Sequence, residues 1–336
     1  MRRNALRIRR RLPRGARRAT PPAASNDFVA TVRAAERALV LGIGGGGDVV
    51  GALAVARLCE SLGTPFVLGG VAWERIPIDP HPGPRPLTEI RGGRPLGDAA
   101  VLAEPGTATP EGVAFSEARM AAHLGAETLL VDVSGGTASA GAGFAAAATE
   151  LGCDLLVFVD VGGDVLARGD EPGLASPLCD AVMVAAALQV AARFKPLLAV
   201  IGPGCDGELT TAEVLERVAG LARAGAWLGT WGVTPQIVAE LDAAATLVPT
   251  EASLQVVRCA RGDLGNAYIR RGRRRVELGP VGALTFLFDP VAAPSAALPL
   301  AHAVADTGSI EEGRAALAAR GVHTELDYER SNSRAG

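Results

Sequence analysis

One pattern constrains this chain more than any other. A short apolar run ends in glycine, a helical pattern follows, and the unit recurs: "RALVLGI" (37–43), "TPFVLGG" (64–70), "AETLLVDVSGG" (126–136), "CDLLVFVDVGGD" (153–164) and "KPLLAVIGPGCDG" (195–207). Runs with no polar alternation need cover on both faces, as the strands of a parallel sheet between helix layers do. Helical segments lie between them. "DVVGALAVARLCESLG" (48–63) is closed by Gly63. "SPLCDAVMVAAALQVAAR" (176–193) and "TPQIVAELDAAA" (234–245) each open with a hydroxyl residue at the N-cap and proline at the first helical position. The expected fold is therefore α/β: a Rossmann-like, doubly wound, mainly parallel sheet with helices on both faces. The C-terminal third changes character. There "NAYIRRGRRRVELG" (266–279) and "GALTFLFDP" (282–290) read as two strands, suited to an antiparallel edge or small lobe, before a last helix near Ser309 to Arg320. This reading divides the chain into a basic disordered tail over 1–26, a single domain over 27–330 and a short tail over 331–336.

Charge and residue usage remove several function classes. The first 26 residues hold nine arginines and no acid; taking those nine charges from the net −3 leaves −12 on the remainder. An acidic body argues against specific nucleic-acid binding. The arginine-rich start lacks the apolar core of a signal peptide. The longest uncharged helical stretch, around Ala181 to Ala192, falls short of the roughly 18 residues a bilayer span requires. Five dispersed cysteines without CxxC spacing suit reduced thiols in a cytoplasmic protein. Lys195 is the only lysine and no GK[ST] occurs, which excludes a P-loop triphosphatase. The four histidines have no metal-ligand spacing.

The glycines ending the runs carry the functional reading. In an open parallel sheet, ligands bind outside the carboxyl ends of the strands. Those ends here share a composition, "GIGGGGD", "VDVSGG", "VDVGGD" and "GPGCDG". The backbone of Gly44, Gly45, Gly46, Gly47, Gly135, Gly136, Gly163 and Gly204 is expected to contact a ligand, phosphate above all, with Asp132 and Ser134 beside it. Asp48, Asp164 and Asp206 are the candidate catalytic residues, as metal ligands or acid–base groups. Any one of them could simply cap a helix. Together they would repel one another unless a Mg²⁺-like cation, or a ligand offering hydroxyls or an amine, joins them. Between Gly70 and Gly97 runs a proline-rich segment too long for an ordinary connection, a candidate lid. Its Glu74 and Arg75 would close over the site as a charged pair, or else pin the loop. Five arginines, Arg270, Arg271 and Arg273 to Arg275, surround Gly272 and suit a solvated hairpin tip or a phosphate contact.

The leading expectation is an enzyme binding a small phosphorylated or nucleotide-like molecule with Mg²⁺; dimerisation or higher assembly is compatible with such a fold. Two alternatives stand beside it. Gly42, Gly44 and Gly47 satisfy G-x-G-x-x-G, the mark of an NAD(P)-dependent oxidoreductase, but Gly69 and Gly70 stand where the ribose-binding acid should end the second strand. The other alternative is a non-catalytic ligand-binding or assembly protein.

"GIGGGGDVVGAL", "GGVAWERIPIDPHPGPRPLTEI", "VDVGGDVLARGDEPGLASPLCDA", "GPGCDGEL" and "GALTFLFDP" together resemble the proteins of domain-of-unknown-function family 1152, found mainly in archaea and some bacteria. The resemblance covers about residues 38 to 330. It implies a Rossmann-like domain in which "WER…DP", "GGD" and "GPGCDGEL" share one site, and it supplies no catalytic residue.

Overall fold

A computed structural model describes residues 27–76 and 78–333. The arginine-rich segment 1–26 and residues 334–336 lie outside them. The strands of the main sheet are β1 (Ala38–Gly42), β2 (Phe66–Val71), β3 (Arg94–Pro95), β4 (Ala100–Ala103), β5 (Thr128–Val131), β6 (Leu155–Val161), β7 (Lys195–Ile201), β8 (Trp227–Gly232) and β11 (Leu284–Phe288). A separate antiparallel hairpin holds β9 (Gly265–Ile269) and β10 (Arg274–Leu278). The helices are α1 (Phe28–Ala34), α2 (Asp48–Ser61), α3 (Ser116–Leu124), α4 (Gly136–Leu151), α5 (Pro177–Gln189), α6 (Thr211–Arg223), α7 (Pro235–Ala245), α8 (Glu251–Ala260), α9 (Pro299–Ala303), α10 (Ile310–Ala318) and α11 (Glu325–Ser333).

The five glycine-ended runs form the parallel centre of the sheet, in the order β5-β2-β1-β6-β7. Both faces of that centre are buried, as the unbroken apolar runs require. Along β1, Leu39 and Leu41 enter one core with Phe144, Phe158 and α5, while Ala38 and Val40 enter the other with Leu53, Leu241 and Val256. Antiparallel strands extend the sheet on each side, β4 beside β5 and β11 beside β7. The chain winds from β1 outward through β2, then returns to place β6 on the other flank of β1. The carboxyl ends of β1 and β6 therefore border the switch point, where connections leave in opposite directions and open a crevice.

Segment 266–279, expected as one strand, is the hairpin β9–β10, and the arginine cluster surrounds its tip, as expected at Gly272. Its turn carries two non-glycine residues in left-handed conformation, Arg270 (φ 52) and Arg271 (φ 57). β11 lies apart from it, in the main sheet. Helix α11 was not anticipated, and it runs into the segment read as a tail. "ELDYERSNS" is too polar to show an apolar face, and what it turns inward is Leu326 together with the carboxylates of Glu325 and Glu329. The long proline-rich connection folds onto the body. Trp73 is wholly buried and its Nε1 donates to Glu329 (3.0 Å), while Arg85 clamps the loop through Asp79 at 2.7 Å. Among the described residues, no helix is long and apolar enough to cross a membrane, and all five cysteines are buried and free.

Candidate functional site

The turn after β1 sits at the switch point, and its glycines are dictated largely by close neighbours. A Cβ on Gly44 would lie 2.5 Å from Asp48 Oδ2, one on Gly45 (φ +77) 2.8 Å from the Trp73 carbonyl, and one on Gly47 2.5 Å from Thr250 Cβ. Only Gly46 has space, with its nearest neighbour 3.7 Å away. Asp48 opens α2 and accepts the Gly44 N–H at 3.1 Å. Loss of water around it outweighs that bond and the charge of Arg75, and pushes its pKa up to about 7.

Five more carboxylates lie beside it. Asp160 is next to last in β6, Asp164 follows the left-handed pair Gly162–Gly163, Asp180 lies in the first turn of α5, and Asp206 and Glu208 follow β7. They divide into two groups. Oxygens of Asp48, Asp160 and Asp180 lie within 4.8 Å of one another, and so do those of Asp164, Asp206 and Glu208. Gly162 makes the second group possible, since a Cβ there would strike Asp206 Cγ at 2.2 Å. Neither oxygen of Asp160 or of Asp206 has a hydrogen-bond partner, nor does Asp180 Oδ1. Burial, reinforced by the neighbouring acids, raises Asp160, Asp164 and Asp180 well above the carboxylate range and Asp206 to about 8. A protonated Asp164 carboxyl and the Val165 amide near Asp160, and the Glu208 and Asp206 amides near Asp206, offset part of these rises without reaching hydrogen-bond geometry.

Guanidinium groups frame this floor. Asp48, Asp164, Asp206, Glu208 and the Gly44–Gly47 turn line a cleft of about 770 Å³ whose rim carries Arg270, Arg271 and Arg273 from the hairpin. Arg274 pairs with Glu208 at 2.7 Å. Arg75 lies over the Trp73 ring (4.4 Å), donates to the Gly44 carbonyl and pairs with Glu325 at 3.3 Å. Ile76, Ile78, Pro249 and Leu254 supply an apolar wall. The arrangement offers buried oxygens for a cation, guanidinium charge for an anion, and apolar surface for the rest of a ligand.

The expected site residues fall into two sets. Gly44 to Gly47, Asp48, Glu74, Arg75, Asp164 and Asp206 line the cleft. Glu74 and Arg75 form no pair with each other: Glu74 accepts the Ser116 N–H and Arg75 turns to α11, so they pin the loop rather than hinge it. The other six do not reach the cleft. Asp132 accepts the Leu87 and Ser134 amides at 2.9 and 2.8 Å. Segment 304–310 fills the turn after β5, with Ile310 N–H on the Ser134 carbonyl and the Thr307 carbonyl 2.6 Å from where a Gly136 Cβ would sit. Ser134, Gly135 and Gly136 therefore belong to that seam. Gly163 faces Val214, and Gly204 donates to the Gly162 carbonyl, which fastens the two turns together. The expected cap at Ser176 is supplied instead by Glu325, which accepts the Leu178 and Cys179 amides at 3.0 and 2.8 Å, while Glu208 accepts the Ala175 and Ser176 amides just before the helix at 2.7 and 2.8 Å. At the end of β2, Glu117 of α3 presses against Gly70, wholly buried and away from the cleft lining. Asp160, Asp180, Glu208 and Glu325 had no signal as striking as a glycine turn. Asp160 in "VDVGGD", Asp180 in "SPLCD" and Glu208 in "GCDGEL" were nevertheless within motifs already singled out.

Sheet and cleft together define a Rossmann-like α/β protein with an acid-floored, arginine-rimmed crevice at its switch point. The chain belongs to the family described as "Protein of unknown function (DUF1152)", whose model matches residues 39–333. No curated protein and no solved structure matches it.

Proposed function

We propose that the cleft binds a small phosphorylated or nucleotide-like molecule together with a divalent cation such as Mg²⁺, and that the protein is an enzyme acting on that molecule. One observation carries the reading: carboxylates and arginines line the same cavity, half-buried Asp48 with buried Asp164 and Asp206 on the floor and Arg270, Arg271 and Arg273 on the rim. Carboxylates alone suit a cation, and arginines alone suit an anion. Facing each other, they suit a phosphoryl group bridged to metal, because Mg²⁺ typically takes one or two carboxylates and completes its shell with phosphate oxygens and water. Gly46, the one open glycine of the first turn, leaves backbone near the same space. The apolar wall of Ile76, Ile78, Pro249 and Leu254 suits the remainder of the molecule.

Thermal unfolding of the full chain with Mg²⁺ and a panel of nucleoside phosphates, sugar phosphates and prenyl phosphates tests this. At least one phosphorylated compound should raise the melting temperature by several degrees in the presence of Mg²⁺, and Arg271→Ala with Arg273→Ala should reduce that rise. A panel that produces no shift would overturn the reading.

A further inference from the structure

The acids of the cleft fall into two sets, and the expectation of one cation held by Asp48, Asp164 and Asp206 does not match that division. We infer that the cleft is built for a pair of divalent cations: a deep one held by Asp48, Asp160 and Asp180, and an outer one held by Asp164 and Asp206 beside Glu208.

Oxygens bound to one Mg²⁺ or Ca²⁺ lie about 2.0 to 2.6 Å from it, hence at most about 5 Å from each other. Each set meets this limit, its oxygens lying within 4.8 Å. Clustering alone would not point to a ligand, but both oxygens of Asp160, both of Asp206 and Oδ1 of Asp180 are buried without a hydrogen-bond partner. These residues are 1%, 5% and 1% exposed, respectively. Native structures rarely leave so many buried acceptors open unless something unseen satisfies them. The nearby guanidinium groups are already committed, Arg75 to the Gly44 carbonyl and Glu325, Arg274 to Glu208 and the Asp206 carbonyl.

The two positions differ in character. Asp160 and Asp180 lie behind Asp48, away from the cleft lining, so the deep cation is enclosed by protein. Asp164 and Asp206 face the cleft. Glu208 is the exception in its set. Its oxygens already accept the Ala175 and Ser176 amides, the Ser176 hydroxyl and Arg274, so it orients the site and adds charge while the two aspartates supply the open oxygens. An outer cation with two protein ligands keeps positions for phosphate oxygens under the arginine rim. That last role rests on the phosphorylated-ligand reading; the pair of cations does not.

Titration of the metal-free full chain with Mn²⁺, followed by calorimetry and by the electron paramagnetic resonance of free Mn²⁺, tests the pair. Two ions should bind per chain. Asp180→Asn should lose the deep ion and Asp206→Asn the outer one, each variant binding one, and the double variant none, with folding checked by circular dichroism. Asp160→Asn tests the deep ion again should Asp180→Asn not fold. A wild-type chain that saturates with one ion or none overturns the inference, as do single variants that both lose two ions or lose none. Two ions without a thermal response to any phosphorylated compound would uphold the pair and remove the proposed function; one ion with such a response would do the reverse.

Discussion

At the residue scale, carboxylates desolvated with few or no donors make the folded protein hold protons that the unfolded chain would release. Asp48 rises from 3.8 to about 7 and Asp206 from 3.8 to about 8, both chiefly through burial. For an acid whose pKa is raised by folding, the stabilisation is complete below the unfolded value and is lost as pH climbs to the folded one. Metal-free protein should therefore lose stability between about pH 4 and pH 8, by roughly a few kcal/mol across that window. Other acids act in the opposite sense. Asp79, Glu171 and Asp327 are lowered by hydrogen bonds, so their contribution is lost as pH falls below the ordinary carboxylate range. The two trends place the highest melting temperature of the chelator-treated protein near pH 4. Differential scanning calorimetry from pH 3 to 8 checks this, and a melting temperature that climbs steadily from pH 5 to pH 8 would contradict it. The same residues show what sequence can reveal of a site. Asp48, Asp164 and Asp206 were legible because each follows glycines at a strand end. Asp160 sits inside an apolar run and Asp180 in the first turn of a helix, where an acid has an ordinary use. Depth, which separates their role from that use, is set by packing between distant segments.

Two elements decide the shape of the cleft. Helix α2 crosses β6 closely because Gly51 has no side chain: a Cβ there would lie 2.3 Å from Val161 Cγ2. Gly51→Ala should destabilise the protein by about 1–3 kcal/mol despite the better helix propensity of alanine, visible as a lower denaturation midpoint in urea. Helix α11 acts from the far side. Glu325 accepts the Leu178 and Cys179 amides at the start of α5 (3.0 and 2.8 Å) and pairs with Arg75. Glu325→Ala removes a buried partner from both and should cost about 3–5 kcal/mol; Glu325→Gln, which keeps an acceptor for the amides, should cost less. Equal losses in the two variants would show that the amide bonds contribute nothing. Nothing in "ELDYERSNS" announces this helix, because its inward face is made of carboxylates that only make sense opposite Arg75 and Trp73.

On the scale of the whole molecule, the sheet was the most legible feature. Runs with no polar alternation and a terminal glycine leave few alternatives to a covered parallel sheet, and the five of them supplied its centre. The flanking strands were harder to see. β4 has four residues, and β8 carries three glycine or threonine residues among its six, at an edge where most positions are exposed. The cleft draws on the turns after β1, β6 and β7, the hairpin and the loop after β2, so occupancy should tie distant segments together. Ligand at 100 times its dissociation constant stabilises a folded state by about 2.7 kcal/mol. Hydrogen exchange with and without Mn²⁺ should show protection rising together in 44–48, 160–164, 176–180 and 204–208. Protection confined to one of these would count against a shared site.

Trp73 has a practical consequence. Of the three tryptophans it alone is sealed from solvent, held between Arg75 and Glu329 with its carbonyl against Gly45, while Trp227 and Trp231 are 46% and 37% exposed on β8, at the edge of the sheet. A soluble collisional quencher will darken the β8 pair first, and the emission that survives will come from the indole beside the crevice. The fold thus carries an internal optical probe, and the wavelength of that residual light can follow filling of the crevice with no label attached.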